Sequence, residues 1–146
     1  MKDERHYRAL EKMYLAAPIN EIFKPRITVS HESAEIEIRV NRAFFHAAGA
    51  VHGSVYFKML DDAAFFAANS IVPDRFVLTT SFVTYLTKPI SSGRMRSIGR
   101  VVNRTRAQII AESVVYDEHE EEIGRGNGVF VRSKLFLADA LGYNDV

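Results

Sequence analysis

The segment from His52 to Ile71 constrains the fold more than any other part of the sequence. Ser54 is placed to cap its start, and Pro73 follows its end. Its apolar residues would cover most of the circumference of an α-helix: Val55, Met59, Leu60, Ala63, Ala64, Phe66 and Ala67. A helix that is apolar on so many sides is buried rather than half-exposed. The sequence therefore predicts a long central helix over about Gly53 to Ile71.

Strand patterns flank this helix on both sides. Before it, Ile27 to Val29 forms a short apolar run, and Ala34 to Val40 alternates apolar with charged residues. After it come four further strand-like runs, Phe76–Thr87, Arg94–Asn103, Gln108–Tyr116 and Glu122–Arg132. Because the gaps between these four runs are short and rich in turn residues, we expect hairpins and an antiparallel meander.

The economical arrangement of these elements is an α+β fold in which a curved antiparallel sheet wraps around one long central helix. An additional N-terminal helix is predicted over Lys2 to Ala17, where apolar residues recur at spacings of three and four. The 146 residues fit a single domain. We expect it to comprise an N-terminal helix (1–20), a core (27–132) and a C-terminal tail (133–146).

Composition excludes several classes of function. A net charge of +1 lacks the basic excess of a nucleic-acid-binding protein. The absence of cysteine excludes disulfides, thiolate metal sites and cysteine nucleophiles. The five histidines show no metal-ligand spacing, and no apolar run has the length of a membrane span. Because the first residues are of mixed charge and no apolar run follows them, we expect no signal peptide. We therefore expect a cytoplasmic protein with no metal, no cofactor, and neither nucleic acid nor membrane as a partner.

Several segments, taken in order, carry a resemblance to a known family. The run from Phe45 to Ser54 (FHAAGAVHGS), followed by Met59 to Ala64 (MLDDAA), resembles the phenylacetate-degradation (PaaI-like) branch of hotdog-fold acyl-CoA thioesterases. Thr80 to Pro89 and Gly99 to Arg104 look like the third and fourth strands of that family. The resemblance covers roughly Ile27 to Arg132. It implies a hotdog fold and the hydrolysis of acyl-CoA thioesters. It also implies a homo-oligomer, either a dimer or a dimer of dimers, with active sites between subunits.

The same resemblance implies catalytic residues. Asp61 is the candidate general base or nucleophile, with Asp62 in reserve. Gly53 would offer a backbone N–H at a helix N-terminus to the carbonyl oxygen that gains negative charge. Thr79, or its neighbour Thr80, stands where the family places a hydroxyl that contacts the attacking water. We expect Asp61 to face a cleft at a subunit interface, near Gly53 of the second chain.

The sequence departs from the family at two positions. His46 replaces an asparagine that helps to position the thioester or the water, and imidazole can also donate a hydrogen bond. Ser54 replaces the second glycine of a His-Gly-Gly motif, and His52 is expected to shape that turn. Both His52 and Ser54 are candidates for substrate contacts.

A basic stretch supplies candidates for binding the phosphates of coenzyme A. Arg100 and Arg104 are the residues expected to contact substrate. The other arginines of the stretch are Arg94, Arg96 and Arg106.

Two other functions remain open. Hotdog enoyl-CoA hydratases and dehydratases use an acid followed five positions later by histidine. Here the corresponding pair is Asn41 and His46, and Asn41 cannot act as a base. The second alternative is an acyl-CoA-binding module without turnover, which the replacement at His46 leaves open.

Overall fold

The computed structural model describes residues 2–146. Three α-helices and six β-strands account for most of these residues. The helices are α1 (Lys2–Ala16), α2 (Asn20–Phe23) and α3 (Gly53–Asn69), and the strands are β1 (Arg26–Ser30), β2 (Ser33–Arg39), β3 (Arg75–Leu86), β4 (Arg94–Arg104), β5 (Ile109–Tyr116) and β6 (Glu122–Phe136). Short 3₁₀ turns lie after β2, at Arg42–Phe44, and after β6, at Leu137–Asp139.

The six strands form one antiparallel sheet in the order β1-β2-β4-β5-β6-β3. Helix α3 contacts all six strands, and ten of its residues are buried. The predicted α+β architecture, a sheet around a central helix with an N-terminal helix, is confirmed. Within residues 2–146, no helix combines the length and the apolar character needed to cross a membrane.

The predicted meander is wrong at one connection. β4, β5 and β6 do follow one another as hairpins, but β3 pairs with β6 at the far edge of the sheet and not with β4. The connection over residues 87–93 therefore crosses two strands. Seven extended residues reach roughly 23 Å, whereas three strand spacings need only about 14 Å. A gap that is short in sequence can thus still pass over two strands.

Small residues let α3 lie close to the sheet. A Cβ atom on Gly99 of β4 would stand 2.2 Å from the carbonyl oxygen of Ala63, so only glycine fits there. On β5, the Ser113 hydroxyl donates a 2.7 Å hydrogen bond to the carbonyl oxygen of Leu60. These two contacts fix the depth and the rotation of α3 over the sheet, and hence the direction in which its carboxylates point.

Helix α3 ends at Asn69, two residues before the predicted end at Ile71. The side-chain amide of Asn69 donates hydrogen bonds to the carbonyl oxygens of Val72 and Arg75. These bonds hold the chain in a turn that leads into β3. Side-chain bonds of this kind compete with helix continuation, and apolar periodicity does not register them.

Strand β6 was predicted to end at Arg132 but continues to Phe136. Arg75 pairs with Phe136 in the ladder, and its guanidinium lies 4.1 Å from the centroid of the Phe136 ring. Ser133 adds a hydrogen bond to the carbonyl oxygen of Phe76. Long-range pairing therefore extends the strand past the point where the local pattern fades. The short helix α2 was not predicted either.

The two edges of the sheet differ in how they are covered. At β1, Arg8 of α1 donates a 2.7 Å hydrogen bond to the carbonyl oxygen of Val29, and Glu11 accepts a 2.8 Å bond from the Val29 N–H. These side chains occupy groups that a neighbouring strand would otherwise bind. β3 has no such cover among the described residues, and it exposes four large apolar side chains: Leu78, Val83, Tyr85 and Leu86.

Candidate active site

A cleft of about 310 Å³ opens between α1, α3 and β3. Helix α3 contributes Asp61 and Asp62, and α1 contributes Met13 and Tyr14. Most of the remaining wall is apolar, with the aromatic rings of Phe65, Phe66 and Phe76. The cleft therefore combines carboxylates with a surface suited to an apolar group.

Asp61 is half-buried on this cleft and has one side-chain hydrogen bond within the described chain. Its Oδ1 accepts a bond of 2.9 Å from Oγ1 of Thr79. Burial raises the pKa of Asp61 to about 6; the hydrogen bond from Thr79 and the charge of Lys58 act in the opposite direction, and the charge of Asp62 adds to the rise. A carboxylate of this kind is still largely ionised at neutral pH and is a stronger base than an ordinary aspartate.

A β-bulge decides which of the two candidate threonines reaches Asp61. The pairing of β3 with β6 shifts register between Thr79 and Ser81. Thr79 points toward α3, whereas the hydroxyl of Thr80 donates a 3.1 Å hydrogen bond to the carbonyl oxygen of Val129 in the sheet. Bulges that re-aim a side chain are common beside functional sites.

Asp62 lies on the same cleft and is held by two side chains. Lys58, one turn earlier on α3, places Nζ 2.6 Å from Oδ2 of Asp62, and the Tyr14 hydroxyl donates a 2.7 Å bond to the same oxygen. Adjacent helical residues point about 100° apart, so an isolated helix would turn at least one of the two aspartates toward solvent. The structure instead covers this side of α3 with α1.

Sequence reasoning missed both partners of Asp62. The spacing of Lys58 and Asp62 is a helical i,i+4 pair and could have indicated their contact. No local signal marks Tyr14, which lies 48 positions away on another helix. Burial and the adjacent charge of Asp62 raise the pKa of Tyr14 far above its usual range, so this hydroxyl stays protonated and acts as a donor.

The N-terminus of α3 brings together three of the predicted residues. His52 is the N-cap: its Nδ1 accepts hydrogen bonds from the Ser54 N–H at 3.0 Å and from the Ser54 hydroxyl at 2.8 Å. The expectation that Ser54 caps the helix is therefore wrong, because the imidazole of His52, two residues earlier, occupies that role. The N–H of Gly53 has no hydrogen-bond partner within the described chain.

His46 lies in an exposed loop near the same helix end. Its Nδ1 accepts a 3.1 Å hydrogen bond from the N–H of Ala48, and its ring centroid lies 6.4 Å from that of His52. His46, His52, Gly53 and Ser54 thus form one group at the N-terminus of α3. Asp61, Thr79 and Asp62 form a second group, about 12 Å further along the helix axis for the eight-residue step from Gly53 to Asp61.

A family model identifies the superfamily of this chain. Residues 48–123, just over half of the chain, match the model of the thioesterase superfamily. The chain belongs to this superfamily. The matched region begins in the loop before α3 and ends in β6. It therefore includes all of α3, with Gly53 and Asp61, and all of β3, with Thr79.

Solved structures confirm the hotdog fold for this member of the thioesterase superfamily. The Escherichia coli PaaI protein from the phenylacetic acid degradation operon matches with a TM-score of 0.83 and 12% identity, over 93% of this chain and 99% of the other. A variant of the phenylacetic acid degradation protein PaaI from Thermus thermophilus gives 0.72 and 19%, over 80% and 99%. AziG from S. sahachiroi gives 0.76 and 20%, over 82% and 99%. No curated protein matches significantly.

The two predicted substrate-binding arginines lie apart from both groups of this thioesterase-superfamily chain. Arg100 is exposed on β4, on the face opposite the one where Gly99 meets α3. Arg104 lies 3.4 Å from a carboxylate oxygen of Glu32. Within the chain, neither arginine is brought to the cleft.

Asn41, the first residue of the pair that corresponds to a hydratase site, has a structural role. The side chain of Asn41 accepts a hydrogen bond of 2.8 Å from the N–H of Ala43 and caps a 3₁₀ turn.

Among residues 2–146, no cluster of three or more histidines and carboxylates could hold a metal ion.

Proposed function

We propose that this protein hydrolyses acyl-CoA thioesters, with Asp61 as the general base. The observation that carries the proposal is the half-buried Asp61 carboxylate, held by Thr79 on a cleft with apolar walls. Membership of the thioesterase superfamily supports the reaction class. The aromatic wall of the cleft suits the apolar part of an acyl group, which would lie beside the base.

The reaction needs two groups on opposite sides of the thioester carbonyl. Asp61 would take a proton from water as the water oxygen attacks the carbonyl carbon. The free N–H of Gly53, at the positive end of α3, would stabilise the negative charge that forms on the carbonyl oxygen. The carbon–sulfur bond then breaks, and the proton passes to the departing thiolate, giving a carboxylic acid and coenzyme A.

A single chain cannot supply both groups to one substrate, because Asp61 and Gly53 lie about 12 Å apart along one helix. A two-fold axis that sets two α3 helices antiparallel would bring Asp61 of one copy to the N-terminus of the other. The open β3 edge and its exposed apolar side chains support such a dimer. In this arrangement His46, His52 and Ser54 would lie around the carbonyl end of the substrate.

A single assay tests the reaction class. Purified protein is incubated with a panel of aryl and medium-chain acyl-CoAs and with an enoyl-CoA, while thiol release, loss of the enoyl absorbance and binding are followed separately. Thiol release supports the proposal. Addition of water to the enoyl-CoA without thiol release would indicate a hydratase, and binding without turnover would indicate an acyl-CoA-binding module.

A further inference from the structure

A charged cluster that the proposed reaction does not use lies directly beside Asp61. It consists of Lys58 and Asp62 on α3 and Tyr14 on α1, and it is called the Lys58 cluster below. The side chains of Lys58 and Asp62 are only 13% and 20% exposed. Lys58 Nζ also lies 5.1 Å from the ring centroid of Tyr14 and 5.2 Å from that of Phe23.

An ion pair at this depth is weak evidence for a role in the stability of the fold. Removing two charges from water has a large desolvation cost, and a buried ion pair is often no more stabilising than apolar residues of similar volume. The positions of Lys58 and Asp62 face an otherwise mainly apolar cleft, where such residues would fit the surroundings. The position of the cluster indicates a different role, because Asp62 is the residue next to Asp61 and Lys58 lies three positions before it.

We propose that the Lys58 cluster is a positioning device that holds the Asp62 carboxylate, and with it a balanced pair of charges, at a fixed place beside Asp61, and so sets the pH range in which Asp61 is a competent base. Asp62 acts on Asp61 by repulsion, which disfavours the ionised form, and Lys58 acts by attraction, which favours it. Tyr14 fixes Asp62 from the opposite side with its hydrogen bond. The proposal rests on the role of Asp61 in the proposed function.

Within residues 2–146, the charged or titratable groups that line this cleft are Asp61 and the three members of the Lys58 cluster. Besides Asp61, α3 contributes Lys58 and Asp62, and α1 contributes Tyr14. β3 contributes only the uncharged Phe76, Leu78 and Thr79, and Ile19 and the first residue of α2, Asn20, are uncharged as well. In the proposed dimer, the N-terminal end of a second α3 would add histidines on the far side, which the variants below leave unchanged.

The test measures the ionisation of Asp61 itself, so that it does not depend on turnover. The ¹³C resonance of the Asp61 side-chain carboxyl is followed through a pH titration of the full-length protein. Asp62→Asn removes a negative neighbour and should move the titration midpoint to lower pH. Lys58→Met removes a positive neighbour and should move it to higher pH. Each shift should be on the order of half a pH unit, as for the loss of one partly screened charge.

Two further variants serve as matched controls. Lys58→Arg keeps the charge and should leave the midpoint close to that of the wild type. Tyr14→Phe keeps both charges and loses only the hydroxyl, so it should move the midpoint less than either variant that removes a charge. If Lys58→Met does not fold, the shift of Asp62→Asn to lower pH decides the question alone.

Opposite shifts in the two charge-removing variants support the positioning role. An unchanged midpoint in Asp62→Asn, or shifts of the same sign in the two charge-removing variants, would overturn it and leave a purely structural cluster. Neither result depends on thioester hydrolysis, so the failure of this proposal and the failure of the proposed function are distinguishable. If the protein does hydrolyse thioesters, the acid limb of its kcat/KM profile should shift in the same directions.

Discussion

Thr79 and Asp61, 18 residues apart in the chain, are joined by a 2.9 Å hydrogen bond from Oγ1 to Oδ1. The bond links the central helix to the edge strand, and it depends on the bulge that turns Thr79 toward α3. It occupies one carboxylate oxygen and leaves the other available to a water molecule in the cleft. Because the donor favours the ionised form, it also limits the rise in the pKa of Asp61 that burial causes.

Replacing Thr79 should therefore change the pH dependence of catalysis. In the wild type, activity should fall as the pH decreases through about 6, where Asp61 takes up a proton. Thr79→Val removes the donor, so the pKa of Asp61 should rise and the acid limb of the kcat/KM profile should move to higher pH. Thr79→Ser keeps the hydroxyl and should resemble the wild type. Identical acid limbs in the valine and serine variants would show that the bond does not act on Asp61.

The close approach of α3 to the sheet should make Gly99 intolerant of a side chain. A methyl group there would meet the backbone of Ala63 at 2.2 Å, so the helix would have to move. Gly99→Ala should lower the free energy of unfolding by about 1–3 kcal/mol, the usual cost of overpacking. Chemical denaturation measures this change. A variant as stable as the wild type would mean that α3 adjusts freely over β4.

His6 should make stability depend on pH. Its Nε2 donates a 2.9 Å bond to the carbonyl oxygen of Asn69, so its Nδ1 must accept the 2.7 Å bond from Tyr143. Burial lowers the pKa of His6 below 6.5, so on acidification the unfolded chain takes up a proton before the folded chain does. The stabilising contribution of His6 should therefore shrink as the pH falls below 6.5.

The comparison of wild type with His6→Gln isolates this contribution, because only the wild type carries the titrating group. The difference in their free energies of unfolding should be smaller at pH 5.5 than at pH 8. A difference that stays constant, or grows on acidification, would contradict the buried neutral imidazole.

The β3 edge offers a matched pair of substitutions for the proposed dimer. Val83 on β3 and Val102 on β4 are each 49% exposed, but only Val83 lies on the open edge strand. A lysine on an edge strand opposes pairing with another strand, so Val83→Lys should weaken the dimer far more than Val102→Lys. Sedimentation velocity at micromolar concentration measures both. Equal behaviour of the two variants would place the interface elsewhere.

The sequence indicated the fold well because its signals were local. The apolar circumference of α3 and the alternation in β2 both depend on neighbouring residues, and both elements were predicted within two residues of their observed ends. The place of β3 was not predictable in this way, since pairing with β6 depends on contacts about 50 residues apart. The same limit hid Tyr14, whose contact with Asp62 follows from the docking of α1. Asp61 and Thr79 were indicated by family resemblance, and their catalytic roles remain predictions.

If Asp61 acts as the base in thioester hydrolysis, replacing its carboxylate must slow turnover, and one comparison tests this most directly. The kcat for thiol release is measured for the wild type, Asp61→Asn and Asp74→Asn, the last being an exposed aspartate that serves as the matched control. Asp61→Asn keeps the shape of the side chain and should fold normally but lose roughly 10²-fold or more in kcat, the usual scale for a general base. Asp74→Asn should match the wild type. Clear and equal hydrolysis by Asp61→Asn and the wild type would show that Asp61 is not the base.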